Sequence, residues 1–231
     1  MTGARAMIMA AGRGERMRPL TDDCPKPLLK VRGKPLIQYH MEALKTGDVG
    51  RVVINTAWLG EQIEHFATTT EGLPEVAWSR EGQDFGGALE TAGGIARALP
   101  LLDDVFWVTA SDNFVPGFRF DPSAFQAFAD SDKLAHLWLV PNPPHHPRGD
   151  FGLANGLAIN DAPTRYTYSS IALYRRAFFA SLPFGNPEGL KVQLVTLLRE
   201  AMDNGRVSAE IHSGPWTDVG TPERLAQLNA P

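Results

Sequence analysis

Ala6-Met-Ile-Met-Ala-Ala-Gly12-Arg-Gly14-Glu-Arg16-Met-Arg18-Pro-Leu-Thr21, running on to Pro25-Lys26-Pro27-Leu28, decides the fold. The apolar run from Ala6 to Ala10 reads as a buried strand. A strand that ends in a glycine turn aims backbone N–H groups at one point, where an anion can sit. Arg13, Arg16, Arg18 and Lys26 add full positive charge to the same place. Cations this close repel one another, so a multiply charged anion is their natural partner. The stretch reads as a triphosphate cradle.

Two common phosphate loops are excluded. The pattern G-x-x-x-x-G-K-[ST] is absent, and G-x-G-x-x-G fails because Met17 stands where the third glycine is needed. The next strand, Arg51 to Asn55, ends without a carboxylate for a ribose, which disfavours a nicotinamide oxidoreductase.

Outward from this stretch, strands and helices alternate. Pro35 starts a helix whose buried face is Leu36, Ile37, Met41 and Leu44, and Gly47 ends it. The spacing predicts a helix over Leu59–Phe66, a strand over Val76–Ser79, and a glycine-rich loop from Gly82 to Gly94 that feeds a helix over Ile95–Leu99. Val105–Thr109 is apolar throughout, as in a strand buried on both faces, and runs into Ser111-Asp112-Asn113. Further on, strands are expected over Ala135–Val140, over Phe151–Ile159 and Arg165–Tyr174 around a turn at Asn160-Asp161, and over Arg206–His212. Phe178 and Phe179 mark a short helix, Leu190–Met202 is amphipathic, and Pro222–Leu228 closes the chain. The alternation predicts βαβ units in an α/β fold, with a mostly parallel central sheet flanked by helices. In such sheets ligands bind beyond the carboxyl ends of the strands, where the first turn, the Gly82–Gly94 loop and Asp112 would lie. One domain over residues 1–231 is expected, with a nucleotide-binding half (about 1–130) and an acceptor-binding half (about 131–231).

Composition narrows the partners. A formal net charge of −4 over 231 residues argues against a general nucleic-acid binder, so the basic cluster serves a small anion. Cys24 is the one cysteine, which leaves no intramolecular disulfide and fits a reducing, cytoplasmic setting. Met1-Thr-Gly-Ala-Arg5 precedes an apolar run too short for the core of a signal peptide, and no stretch is long enough to span a bilayer. No large apolar patch stands out, so a monomer is expected.

The offsets G-x-G-x-R-x-x-P-L-T and P-K-P-L, on Gly12, Gly14, Arg16, Pro19–Thr21 and Pro25–Leu28, resemble the signature of sugar-1-phosphate nucleotidyltransferases. Asp112 after the central strand and Trp216-Thr-Asp218-Val-Gly220-Thr221 resemble that family's two metal-binding places. On its own, Asp112 reads equally as a cap for a following helix. The resemblance implies a single-domain Rossmann-like (GT-A-like) fold. It implies Mg²⁺ on Asp112 and Asp218, and nucleotidyl transfer from a nucleoside triphosphate to a sugar 1-phosphate. Arg16 would hold the β- and γ-phosphates, and Lys26 the α-phosphate and the incoming sugar phosphate. Arg13 reads as a rim ligand or as a solvated arginine. The nucleotide would meet Ala10, Ala11, Gly12, Gly14, Arg16, Glu90 and Asp112, with Glu81 or Gln83 at the base.

Asn142-Pro-Pro-His145-His146-Pro-Arg148-Gly149-Asp150-Phe151 resembles a run found in the N-acetylmuramate-1-phosphate uridylyltransferases, a branch that serves cell-wall recycling. Asn55-Thr-Ala-Trp58-Leu-Gly60 and Leu190-Lys191 match the same branch in kind and order. The branch implies UTP and N-acetylmuramate 1-phosphate as substrates. It makes Lys26, Asn113, Arg148, Gly152, Ser169 and Lys191 candidates for the sugar phosphate. Arg148 or Lys191 would face the lactyl carboxylate, although Lys191 serves equally for the phosphate. His145 and His146 read as a polar surface loop, because two adjacent histidines make a poor metal site. The alternatives are another hexose-1-phosphate nucleotidyltransferase, such as a mannose-1-phosphate guanylyltransferase, and a catalytically silent nucleotide-sugar-binding module.

Overall fold

The computed structural model describes residues 4–230; Met1–Gly3, the start of the segment weighed above as a leader, lie outside the described residues. Nine strands form one central sheet. In chain order they are β1 (Ala4–Met9), β2 (Arg51–Thr56), β3 (Glu75–Arg80), β4 (Leu102–Ala110), β5 (Ala135–Val140), β6 (Gly152–Ala154), β7 (Leu157–Ile159), β8 (Thr167–Arg175) and β9 (Val207–Ile211). The order across the sheet is β3-β2-β1-β4-β8-β5-β9-β7-β6. Strands β3, β2, β1 and β4 are mutually parallel, and β8 and β7 run against the others. The sheet is therefore mixed and mostly parallel, within a single-domain α/β fold.

Alternation along each strand feeds two cores, one on each face. In β4, Phe106 and Val108 enter one core, while Val105 and Trp107 enter the other. That is why its sequence is apolar without a break. The described residues form seven α-helices: α1 (Leu36–Thr46), α2 (Gly60–Thr69), α3 (Glu81–Phe85), α4 (Glu90–Ala98), α5 (Pro122–Ala129), α6 (Leu194–Asp203) and α7 (Pro222–Asn229). Helices α4 and α6 cover the first core and α1, α2 and α5 the second. Trp107 lies at the centre of the second, with ring centroids 4.9 Å from Trp138 and 5.2 Å from Phe120.

Three sequence expectations are corrected. Gly82–Gly94 is not one loop: α3 and α4 occupy most of it, and α4 starts at Glu90, ahead of the expected Ile95. Gly82, Gly93 and Gly94 serve close packing. A Cβ on Gly94 would lie 2.6 Å from Glu81 Oε1 and 3.1 Å from Asn55 Nδ2. The amphipathic helix starts at Leu194 instead of Leu190. Leu190–Val192 is a strap in which the Val192 carbonyl accepts from the Ala92 and Gly93 N–H groups (2.9 and 3.2 Å), so its backbone is committed to α4. The strand expected over Phe151–Ile159 is a tight hairpin, β6–β7, turning at Asn155-Gly156 with φ of 51° and 76°. An Asn-Gly pair favours that left-handed turn.

Trp107→Ala empties the middle of the aromatic cluster. It should cost about 3–5 kcal/mol of stability, read as a lowered urea midpoint in equilibrium unfolding.

Candidate active site

The carboxyl ends of β1 and β4 open onto a cavity of about 400 Å³, lined by Ala10, Ala11, Gly12, Arg13, Lys26 and Asp112 among others. The turn after β1 is built to stay open. Gly14 sits at φ 68°, a left-handed conformation that glycine adopts without steric cost. Its carbonyl accepts the Thr21 hydroxyl at 2.8 Å. The Ala10 N–H donates to Asn55 Oδ1 at 2.7 Å, and Asn55 Nδ2 donates to Glu81 Oε1 at 2.7 Å. Glu81 Oε2 accepts the Leu89 N–H at 2.9 Å. Glu81 is 0% exposed. Burial pushes its carboxyl above the ordinary value, partly offset by the bonds from Asn55 and Leu89. Glu81 thus stands in the cavity wall without exposed surface, holding Asn55, the start of α4 and, through Asn55, the turn after β1.

The cations take different roles. Lys26 is 9% exposed and its Nζ lies 2.6 Å from Asp112 Oδ2, at the cavity floor. Arg13 stacks over Trp58, 3.6 Å from the ring centroid, and donates to the Thr21 carbonyl (2.8 Å) and Asp22 Oδ1 (3.2 Å). Trp58 Nε1 donates to the same Thr21 carbonyl at 2.9 Å, and Arg18 Nε pairs with Asp22 at 2.8 Å. Arg13 and Arg18 are therefore staples of the loop. Arg16 is exposed on the single turn Glu15–Met17 and pairs with no carboxylate among the described residues. Its side chain is not part of that cavity's lining.

Backbone pairing brings the two aspartates together. Thr217–Asp218 pairs antiparallel with Asn113–Phe114, Asp218 facing Asn113, and the Val219 N–H donates to the Asp112 carbonyl at 2.8 Å. Asp112 opens onto the cavity. The Asp218 carboxylate is engaged by Arg224 Nη1 (3.0 Å) and lies 2.8 Å from His145 Nε2, on the wall of a separate cleft with Trp216 and Pro143. No group of three His, Cys, Asp or Glu that could hold a metal occurs among the described residues. A metal ion here would rest on these two carboxylates and on phosphate oxygens, a donor set that suits Mg²⁺.

A second cavity of about 380 Å³ adjoins the first through Met9, Glu90, Thr91 and Ala110, and is completed by Asp150, Phe151, Tyr168, Ser170, Gln193 and the start of α6. The sequence candidates Asn113, Arg148, Gly152, Ser169 and Lys191 are not among its lining residues. Asn113 and Ser169 are buried, and their polar atoms bond within the protein: Asn113 Nδ2 donates to the Ser169 carbonyl (2.6 Å), and Ser169 Oγ accepts from Ile171 (3.1 Å). Gly152 is buried in the hairpin against Ile159. Arg148 and Lys191 are exposed and line neither cavity. Sequence reasoning missed Asn55 and Ser170 as site residues, and treated His145 and His146 as surface loop. In fact His146 Nε2 lies 3.0 Å from Asp150 Oδ1, and Asp150 Oδ2 accepts the Tyr168 N–H at 2.8 Å, which fastens the proline-rich loop to β8.

The sequence profile described as nucleotidyl transferase matches residues 5–156. The chain is 43% identical over 98% of its length to the N-acetylmuramate alpha-1-phosphate uridylyltransferase of Neisseria meningitidis serogroup B, covering 97% of that protein. It is 31% identical over 94% of its length to the protein of the same name from Caulobacter vibrioides, covering 92% of it. A crystal structure of a putative glucose-1-phosphate thymidylyltransferase from Bacillus anthracis superposes with a TM-score of 0.78 at 21% identity, covering 97% of this chain and 93% of that one. The chain belongs to the nucleotidyl transferase family, and within it to the sugar-1-phosphate nucleotidyltransferases. Among the described residues no helix is long and apolar enough to cross a membrane.

Asn55→Ala strands the Ala10 N–H and a buried carboxylate oxygen together. Each unsatisfied group costs about 1–3 kcal/mol. The variant should lose stability in urea unfolding and bind nucleoside triphosphate more weakly in calorimetry. His40 gives a second test. It is buried, its Nε2–H donating to the Asn113 carbonyl at 2.8 Å, and burial holds its pKa below the ordinary value. The folded chain keeps it neutral, whereas the unfolded chain protonates it near pH 6.5. Its contribution is therefore intact above about pH 6.5 and is lost as the pH falls below it. His40→Gln, which keeps an N–H for Asn113, should flatten the acid limb when urea midpoints at about pH 5 and about pH 8 are compared.

Proposed function

We propose that the chain transfers uridylate from UTP to N-acetylmuramate α-1-phosphate, releasing UDP-N-acetylmuramate and pyrophosphate, in the recycling of cell-wall sugar. The observation that carries this reading is the run Asn142–Phe151, together with 43% identity along nearly the whole length of an enzyme of that name.

The chemistry follows from the two joined cavities. The triphosphate lies over Ala11 and Gly12 with its base toward the wall backed by Asn55 and Glu81. The sugar 1-phosphate enters from the second cavity. A phosphate with its second pKa near 6 is already a dianion at neutral pH, so it attacks without a general base. One of its oxygens forms the new bond to the α-phosphorus in line, and the bond to pyrophosphate breaks. What remains for the protein is alignment and charge neutralisation. Lys26 sits between the two phosphates, positioned by Asp112. Arg16 swings onto the β- and γ-phosphates, where charge collects on the leaving group. Asp112 and Asp218 would hold Mg²⁺, which supplies further neutralisation at the reacting phosphates. Arg224 and His145 release Asp218 for that role.

The test is pyrophosphate release with Mg²⁺ over a grid of nucleoside triphosphates and sugar 1-phosphates. UTP with N-acetylmuramate 1-phosphate should give the strongest signal, and Asp112→Asn should lower it by at least about a hundredfold, given what one transition-state charge contact is worth. A strong signal only with GTP and mannose 1-phosphate would overturn the substrate. No signal with any pair, from folded protein that still binds UTP, would overturn the reaction.

A further inference from the structure

Two residues of the second cavity stand in left-handed backbone without being glycine: Glu90 at φ 61° and Ser170 at φ 63°. Such conformations persist only where the surroundings impose them, and they gather at ligand sites. At Ser170 the imposition is visible. The register between β8 and β5 slips between Tyr168 and Ala172, the mark of a bulge. On one side of it the Ser169 carbonyl accepts two donors, Asn113 Nδ2 at 2.6 Å and Trp216 Nε1 at 3.0 Å. On the other the Ile171 N–H is bound to Ser169 Oγ at 3.1 Å. The Tyr168 N–H is held by Asp150. With its neighbours pinned, Ser170 faces the cavity, and its hydroxyl bonds no other described residue.

The cavity's chemistry says what that hydroxyl can read. No lysine or arginine lines it; Phe151, Leu194 and Leu198 make an apolar wall, and Asp150 is already bonded to His146 and Tyr168. We propose that Ser170 is an acceptor-specificity residue. Its hydroxyl hydrogen-bonds a neutral polar substituent of the sugar ring, a hydroxyl or an amide carbonyl, while the apolar wall takes the substituent's methyl group. The inference rests on the reading above that this cavity receives the sugar 1-phosphate, and it adds the group that selects the sugar.

Ser170→Ala removes the hydroxyl and keeps the left-handed backbone. Ser170→Gly removes the hydroxyl and also the steric cost of that backbone. Both should raise the KM for the sugar 1-phosphate about tenfold, the loss expected for one hydrogen bond, and leave the KM for UTP within twofold. Ser170→Gly should melt at or above the wild-type temperature, so the KM change is not a folding defect. The comparison uses whichever sugar 1-phosphate the wild-type chain turns over fastest. An unexpected sugar then overturns the proposed substrate and leaves this test intact. An acceptor KM within twofold of wild type in both variants would overturn the role of Ser170, as would an equal rise in the KM for UTP. If no acceptor turns over at all, the inference falls with the reading it rests on.

Discussion

The Ser169 carbonyl accepts two N–H donors, one from Asn113 and one from Trp216, and the organisation of the site depends on that oxygen. It joins three segments far apart in sequence: the turn that carries Asp112, the turn that carries Asp218, and the bulge in β8. Both donors are buried or nearly so, and a buried donor without an acceptor costs far more than a made bond returns. Losing the bulge would therefore strand two donors at once. The same bulge throws Ser170 into the second cavity. The backbone junction of the two aspartate-bearing turns and the entry of Ser170 into the second cavity are thus consequences of one backbone distortion.

On the nucleotide side, the organising principle is the division of labour among cations. Arg13, Arg18 and Trp58 close a small network on Thr21 and Asp22, which fixes the shape of the turn with part of its own positive charge. Lys26 is buried and paired, so it is already positioned when a phosphate arrives. Arg16 is left unpaired and exposed. A loop with all of its arginines unpaired would repel itself open, and one with all of them paired would have nothing to offer a ligand. Behind the turn, the chain Ala10, Asn55, Glu81, Leu89 ties the turn after β1 to the start of α4, joining two walls of the first cavity.

Much of this was legible in the sequence, because it rests on local chemistry at fixed offsets. The strand–glycine–arginine stretch gave the first strand and the turn beyond it, and the continuous apolar run of Val105–Thr109 gave the central strand and put Asp112 at its end. The misreadings share a cause. The glycines at positions 93 and 94 read as loop residues because composition cannot separate a glycine that frees the backbone from one that admits a neighbour. Here a buried Glu81 and the Leu190–Val192 strap approach α4 too closely for a Cβ. Leu190 has the right phase for α6, yet the strap's hydrogen bonds to α4 outweigh it. Asn55 was visible only as the first residue of a run resembling the branch, and its structural role comes from partners dozens of residues away, Ala10 and Glu81; Ser170, a serine beside a serine, carried no signal of its own.

The second cavity has no cation in its wall, and that shapes how selectivity can arise there. On the proposed reading Lys26, in the wall of the first cavity, attracts the acceptor's phosphate, a force that every sugar 1-phosphate feels equally. Among sugar 1-phosphates that carry no further charge, discrimination then comes from groups that are neutral, directional and rigid, since a cation would bind their shared phosphate without telling one sugar from another. A flexible side chain would lose much of its bond to the entropy of being held still. A serine has a short side chain, and the left-handed backbone at Ser170 leaves little freedom to surrender on binding. The bulge therefore costs folding stability to fix the backbone at Ser170, and on the proposed reading it presents a hydroxyl beside an apolar wall, as a site needs to tell one substituted sugar from another.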